Sequence, residues 1–299
     1  MRGDAAGAPQ PPGSESGGAA PGTPRMALAL GGGSARGLAH IVILEALDEL
    51  GLRPAFIAGT SMGAICGALY ATGLTGAEIR AGFIDEFASR GALLRRFAGK
   101  LTAGFSSLWS VRSPSVIDNV TLFEMMLPDI LHCDFAALKI PFVAVAADFY
   151  AIEQVILDSG PLIPALAASC ALPAWSRPVV LDGRVLIDGG YVNPVPFDAV
   201  MGRADLTIAV DVTGDTQRPG AKFPKVPPPL EAMTGAAQLL FHSVTREKLR
   251  SIRPAIMIRP AVGGFGAFDY FRIDDILAAA APAKDELKRK VAQCLERGS

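Results

Sequence analysis

A serine between glycines, a glycine-rich loop and an aspartate before two glycines are the residues of this 299-residue chain whose types and spacing could do chemistry. Gly59-Thr60-Ser61-Met62-Gly63 has the form G-x-S-x-G. The strand-like Phe56-Ile57-Ala58 precedes it and a helix-forming run from Met62 to Ala71 follows, the context in which a sharp turn lifts a serine hydroxyl above a sheet. A helix-capping serine flanked by packing glycines is the competing reading. Gly31-Gly32-Gly33-Ser34-Ala35-Arg36-Gly37 also lies between a strand and a helix, where glycine backbone offers unpaired N–H groups to an anion. One helix and one strand join the two motifs, a compact βαβ unit whose parallel strands end on the same side. If the strands are neighbours, the glycine N–H groups face the serine across about 4.8 Å. That would be an oxyanion hole beside a nucleophile, and the chemistry it serves is acyl transfer.

Such a nucleophile needs a base. The chain has three histidines, His40, His132 and His242, each in helical context and each read as packed or solvated. Asp188, in Ile187-Asp188-Gly189-Gly190, is the better candidate, because it ends an apolar strand and precedes glycines that permit close approach. A carboxylate is a poor base for serine in water, but in a desolvated pocket its pKa rises toward a useful value. A plain Asp-Gly turn is the alternative here, and Asp182-Gly183 is expected to be one, closing a hairpin between Val179–Leu181 and Val185–Ile187. A serine–aspartate–histidine order would leave His242 as its histidine, inside a helical stretch.

The glycine loop is not expected to hold a cofactor. A dinucleotide fingerprint needs Gly or Ala where Arg36 stands, and no G-K-[ST] follows. Lys and Arg number 28 against 29 Asp and Glu, a net charge of −1 that excludes a polybasic nucleic-acid binder. Cys66, Cys133, Cys170 and Cys294 lie far apart, which fits buried thiols in a reduced, cytoplasmic setting. Cys133 beside His132 lacks the further ligands of a zinc site.

The elements that must position these residues read as an α/β domain, with apolar strands alternating with amphipathic helices. Strands are expected at Met26–Leu30, Phe56–Ala58, Pro141–Ala146, Gln154–Leu157, Val179–Leu181, Val185–Ile187, Leu206–Val210 and Ala255–Ile258. Helices are expected at Leu38–Leu50, Met62–Ala71, Gly76–Ala88, Leu122–Ile130, Leu230–Arg250 and Ile273–Glu296. Residues 1–24, rich in Gly, Pro, Ser and Ala, read as a disordered leader without the apolar core of a signal peptide, and residues 25–299 as the domain. Pro54–Ala77 and Ser159–Ser176 carry no charge, yet glycines or prolines break both, and neither is read as a membrane span. Ser89–Val116 interleaves Phe97, Phe105 and Trp109 with Arg95, Arg96 and Lys100, which suits a segment covering the site and meeting lipid.

Taken in order, the glycine block, Gly59–Gly63 and Asp188-Gly189-Gly190 resemble the three motif blocks of the patatin-like phospholipases, in their bacterial and neuropathy-target-esterase-like branch. Ala168–Pro173 and Tyr191–Pro196 resemble the family's text on either side of the aspartate. The likeness covers roughly Met26–Val212, with a weaker echo at Ile258–Pro260 and Phe268-Asp269. Val42 departs from it, standing where the family often has glycine. The resemblance implies a three-layer α/β/α fold with a mainly parallel sheet. It implies a Ser–Asp dyad of Ser61 and Asp188, and an oxyanion hole from Gly31, Gly32 and Gly33 with Arg36 and Gly37 in the same block. It implies hydrolysis of lipid acyl esters, of the phospholipase A or lysophospholipase kind, without metal or organic cofactor; the expectation of peripheral contact with membrane comes from Ser89–Val116. A lipid acyltransferase with the same dyad, or a non-catalytic regulatory protein, are the alternatives on this fold.

Overall fold

The structure is a computed structural model and describes residues 25–87, 118–173, 175–214, 226 and 229–298. The leader 1–24 and the whole segment expected to meet lipid, Ser89–Val116, lie outside the described residues.

The apolar runs form strands and the periodic runs between them form helices. β1 (Met26–Leu30) leads through the glycine loop and a 3-10 turn, Ser34–Ala39, into α1 (His40–Glu49). β2 (Phe56–Thr60) passes directly into α2 (Met62–Ala71), and α3 follows at residues 76–87. Next come α4 (Asn119–Met126), the hairpin β3 (Phe142–Asp148) and β4 (Glu153–Leu157), and α5 (Leu162–Ser169). β5 (Val179–Leu181) and β6 (Arg184–Asp188) form the second hairpin, followed by α6 (Phe197–Val200), β7 (Leu206–Val210) and α7 (Pro229–Ser251). The chain ends with β8 (Ile256–Ile258), α8 (Ile273–Ala280) and α9 (Pro282–Gly298).

Among the described residues one eight-stranded sheet runs in the order β5-β6-β3-β2-β1-β7-β8, with β4 paired to β3 off this path. The ladders β3-β2-β1-β7-β8 are parallel and the hairpin strands are antiparallel, so the sheet is mainly parallel in its centre.

Alternation along each central strand sorts the two faces. Met26, Leu28, Leu30, Ile57, Ile208 and Val210 point into the larger core with α1, α2, α8 and α9. Ala27, Ala29, Ala58 and Ala209 point the other way, where small side chains let α6 and the end of α7 come close. The result is three layers, helix on sheet on helix.

Two expectations change. Ile273–Glu296 is not one helix but α8 and α9, parted at Ala281-Pro282, because a proline ring inside a helix clashes with the preceding turn. Ser159–Ser176, expected only not to span a membrane, contains α5.

Candidate active site

Strand register builds the site. Leu30 of β1 lies opposite Gly59 of β2, so two residues further on Gly32 falls opposite Ser61. Thr60 lies opposite Val145 of β3, so Ser61 falls opposite Ala146, and Ala146 is the residue paired with Asp188 of β6. Because β4 pairs with β3 at Ala144–Asp148, it occupies one edge of β3, and β2 and β6 must share the other. They meet there end to end. β2 leaves the sheet at the position where β6 arrives, and one row across the strand ends therefore carries Gly32, Ser61 and Asp188.

Ser61 leaves by a strained turn, with φ 54 and ψ −125, a region a side chain rarely adopts. It stands between β2 and the first turn of α2 and is 8% exposed. The turn is tight enough to demand its glycines. A Cβ on Gly63 would lie 2.2 Å from the Leu30 carbonyl oxygen, and one on Gly59 would lie 2.5 Å from the Gly63 oxygen. The Ser61 N–H donates to the Ser169 hydroxyl at 2.9 Å, and the Thr60 hydroxyl donates to the Asn193 carbonyl at 2.9 Å.

Asp188 is 3% exposed. Its Oδ1 accepts the Gly190 N–H at 2.7 Å, and its own N–H donates to the Ala171 carbonyl at 2.9 Å. Gly189 and Gly190 continue in a 3-10 turn to Tyr191. Burial pushes the Asp188 pKa up to about 6, while the nearby Ser61 hydroxyl and the Gly190 N–H pull it back. The Cys170 thiol sits beside Asp188 and Ser61, and burial pushes its pKa well up. Burial pushes the phenols of Tyr191 and Tyr270 up as well, and the Asp188 charge adds to it.

The glycine loop faces Ser61 at close range, since a Cβ on Gly32 would lie 3.3 Å from that of Ser61. Its amides are not equivalent. Gly31 donates to the Val210 carbonyl at 3.0 Å and Gly32 to the Pro194 carbonyl at 2.8 Å, which ties the loop to the strand and the turn beside it. Arg36 donates its N–H to the Gly33 carbonyl at 3.1 Å. Among the described residues, the N–H groups of Gly33 and Ser34 meet no protein acceptor.

Gly37 packs against the Met62 side chain, where a Cβ would lie 2.4 Å from the nearest Met62 carbon. The Arg36 guanidinium is buried, with its Nε 3.4 Å from the Gly33 oxygen; burial pulls its pKa down, opposed by the charge of Asp211. Gly33, Ser34, Arg36, Leu172, Tyr191 and Phe241 are among the residues that line a small cavity of about 50 Å³.

The three histidines take other places. The His40 Nε2–H donates to the Gly31 carbonyl at 2.7 Å, its Nδ1 is buried without a partner, and burial holds its pKa down to about 4. A ring nitrogen of His242 bonds the Gly214 carbonyl, and His132 is exposed. Sequence reasoning named Ser61, Asp188 and the glycines but passed over Ser34 and Ser169, whose relation to the site depends on tertiary contacts.

A serine elbow and a glycine loop at the carboxyl ends of parallel strands, between two helical layers, define a class of α/β protein built around a nucleophile turn. Within that class the chain belongs to the patatin-like phospholipase family, whose family model matches residues 28–201. It is 38% identical over 200 residues to an "Uncharacterized NTE family protein" of Mycobacterium tuberculosis, covering 66% of this chain and 51% of that one. It is 34% identical over 193 residues to patatin-like phospholipase domain-containing protein 7 of Rattus norvegicus, covering 62% of this chain and 13% of that one. Lysophospholipase nte1 of Neurospora crassa is 26% identical over 289 residues, covering 89% of this chain and 18% of that one. The chain thus spans about half the length of the mycobacterial relative and less of the others. VipD from Legionella pneumophila superposes with a TM-score of 0.42 and 13% identity, over 89% of this chain and 67% of that one.

Proposed function

We propose that the protein hydrolyses acyl esters of lipids through a Ser61–Asp188 dyad and an acyl-enzyme. The observation that carries the reading is the single row of Gly32, Ser61 and Asp188, with the Asp188 pKa raised to about 6. A carboxylate near that value is ionised at neutral pH yet basic enough to take the serine proton in the transition state. Ser61 Oγ attacks the acyl carbonyl as its proton passes to Asp188. The oxygen that becomes negative accepts from the N–H groups of Gly33 and Ser34, a role supported by Gly31 and Gly32 being spent on the Val210 and Pro194 carbonyls. Collapse of the tetrahedral intermediate breaks the ester C–O bond, and Asp188 returns the proton to the departing alcohol. Water then attacks the acyl-enzyme with Asp188 again as base, releasing the fatty acid and restoring Ser61.

Membership in a phospholipase family and likeness to proteins named lysophospholipase support lipid esters as the substrate class. The test is a panel of phospholipids, lysophospholipids and short p-nitrophenyl esters, run with the wild type and Ser61→Ala. Release of fatty acid by the wild type alone is the expected result. Hydrolysis retained by Ser61→Ala, or no release from any lipid, would refute the reading.

A further inference from the structure

Ser169 is fully buried at the last position of α5, and its hydroxyl makes two short hydrogen bonds. It accepts the Ser61 N–H at 2.9 Å and donates to the Val145 carbonyl at 2.6 Å. These two partners belong together for a reason of register. Along the β2–β3 ladder Ile57 donates to the Pro141 carbonyl at 2.9 Å, and rungs of a parallel ladder recur every second residue. The series therefore runs from residue 57 to 141, then 59 to 143, then 61 to 145. At the third rung no direct bond joins Ser61 to Val145. The Ser169 hydroxyl stands between them, receiving from one and giving to the other.

We propose that Ser169 is a positioning residue for Ser61, its hydroxyl replacing the last rung of the β2–β3 ladder so that the nucleophile is held out of the sheet. The inference rests on the reading of Ser61 as nucleophile. A direct rung would draw Ser61 back toward an extended strand, away from its φ of 54 and into the row position that Asp188 occupies from β6. With the hydroxyl interposed, β2 is spread from β3 by one oxygen atom, both buried backbone groups stay satisfied, and β6 has room to pair with Ala146. Removing the hydroxyl leaves two outcomes for the backbone. Either the direct rung forms and the serine retracts, or two buried polar groups lose their partners and the elbow loosens. Both displace Ser61 Oγ from Asp188, and neither touches the groups that line the cavity.

The experiment compares Ser169→Ala and Ser169→Cys with the wild type, measuring kcat and KM per active site titrated with a fluorophosphonate, together with the pH profile of kcat/KM. The cysteine variant fills the same space with a weak donor and acceptor, so it keeps the test decisive where alanine fails to fold. Expected is a fall in kcat of roughly 10- to 100-fold in each folded variant, with KM within about threefold of the wild type. The acid limb should also move to higher pH, because the approach of the Ser61 hydroxyl is part of what holds Asp188 down. The titratable groups facing Asp188, namely Cys170, Tyr191 and Tyr270, are pushed toward their neutral forms, so that limb reports the carboxyl. A kcat per titrated site within about threefold of the wild type in the folded variants, or a change confined to KM, would overturn the proposal. Ser61→Ala runs alongside. If it keeps activity, the dyad itself is wrong; if it is inactive while the Ser169 variants are unimpaired, only the positioning role fails.

Discussion

At the scale of single residues the account turns on one buried carboxyl. Asp188 has a folded pKa of about 6 against an ordinary 3.8, so ionising it in place is costly. The contribution to stability is full below about pH 4 and is lost as pH rises through 6, the reverse of an ion-paired aspartate. Each pKa unit corresponds to about 1.4 kcal/mol, so at pH 8 the charge costs the fold about 3 kcal/mol. Asp188→Asn should therefore lose hydrolysis by 10²-fold or more yet unfold at a higher temperature than the wild type at pH 8, and the difference should vanish near pH 4. Thermal melts of both proteins across that range check it; an equal or lower melting point for the variant at pH 8 would contradict the burial argument. With Asp188 as the proposed base, kcat/KM is expected to fall as pH drops through about 6. Histidine should matter little: His242→Ala is expected to stay within a few-fold of wild-type activity, measured on the same esters. A loss of 10²-fold in the folded variant would replace the dyad with a triad. Ser61 and Asp188 were legible in the sequence because an elbow and an Asp-Gly-Gly carry local signatures. The division of labour within the glycine loop was not, since whether an amide is spent depends on Val210 and Pro194, which are remote in the chain.

At the scale of elements, the strands were legible and two helical stretches were not read correctly. Alternating and continuous apolar runs placed β1, β2 and β7 closely, and Asp182-Gly183 turned β5 into β6 as expected, with positive φ at both residues. α5 escaped notice because it is buried on nearly every side and so lacks a polar stripe, and because it carries Pro164. That proline sits in the first turn, where the missing N–H would have no helical partner. α8 and α9 were merged because their apolar pattern runs through Ala281-Pro282. The glycine loop is tested at the residue that faces Ser61. Gly32→Ala puts a methyl 3.3 Å from the Ser61 Cβ, beside Thr60, so the loop and Ser61 must part by a few tenths of an ångström. The expected loss in kcat is about 10²-fold with the fold intact, because that shift misplaces Gly33 and Ser34, the oxyanion donors proposed above. Steady-state kinetics on a folded Gly32→Ala protein would decide it, and an unchanged kcat would put the oxyanion donors elsewhere.

For the whole molecule, the fold class and the family were both readable, because three ordered motifs at the ends of β1, β2 and β6 are more restrictive than any one of them. The meeting of the motifs at one row was not readable, since it requires β6 to return antiparallel along the edge of β3 that β2 vacates. The family match ends at residue 201, but the architecture does not. β7 pairs with β1 along five residues, Val210 anchors Gly31, and α9 buries Leu287 and Val291 against the larger core. A chain cut after Met201 is expected to lose cooperative unfolding as well as activity, as followed by circular dichroism and ester hydrolysis; a folded, active fragment would contradict a unit that extends to α9. The central claim, that Ser61 is the nucleophile of a lipid acyl hydrolase, is tested most directly by reacting the protein with a fluorophosphonate and mapping the adduct by mass spectrometry while following phospholipid hydrolysis. One adduct per chain is expected, on Ser61, with hydrolysis lost in proportion to labelling. An adduct on another residue that abolishes hydrolysis, or full hydrolysis by a chain labelled at Ser61, would contradict it.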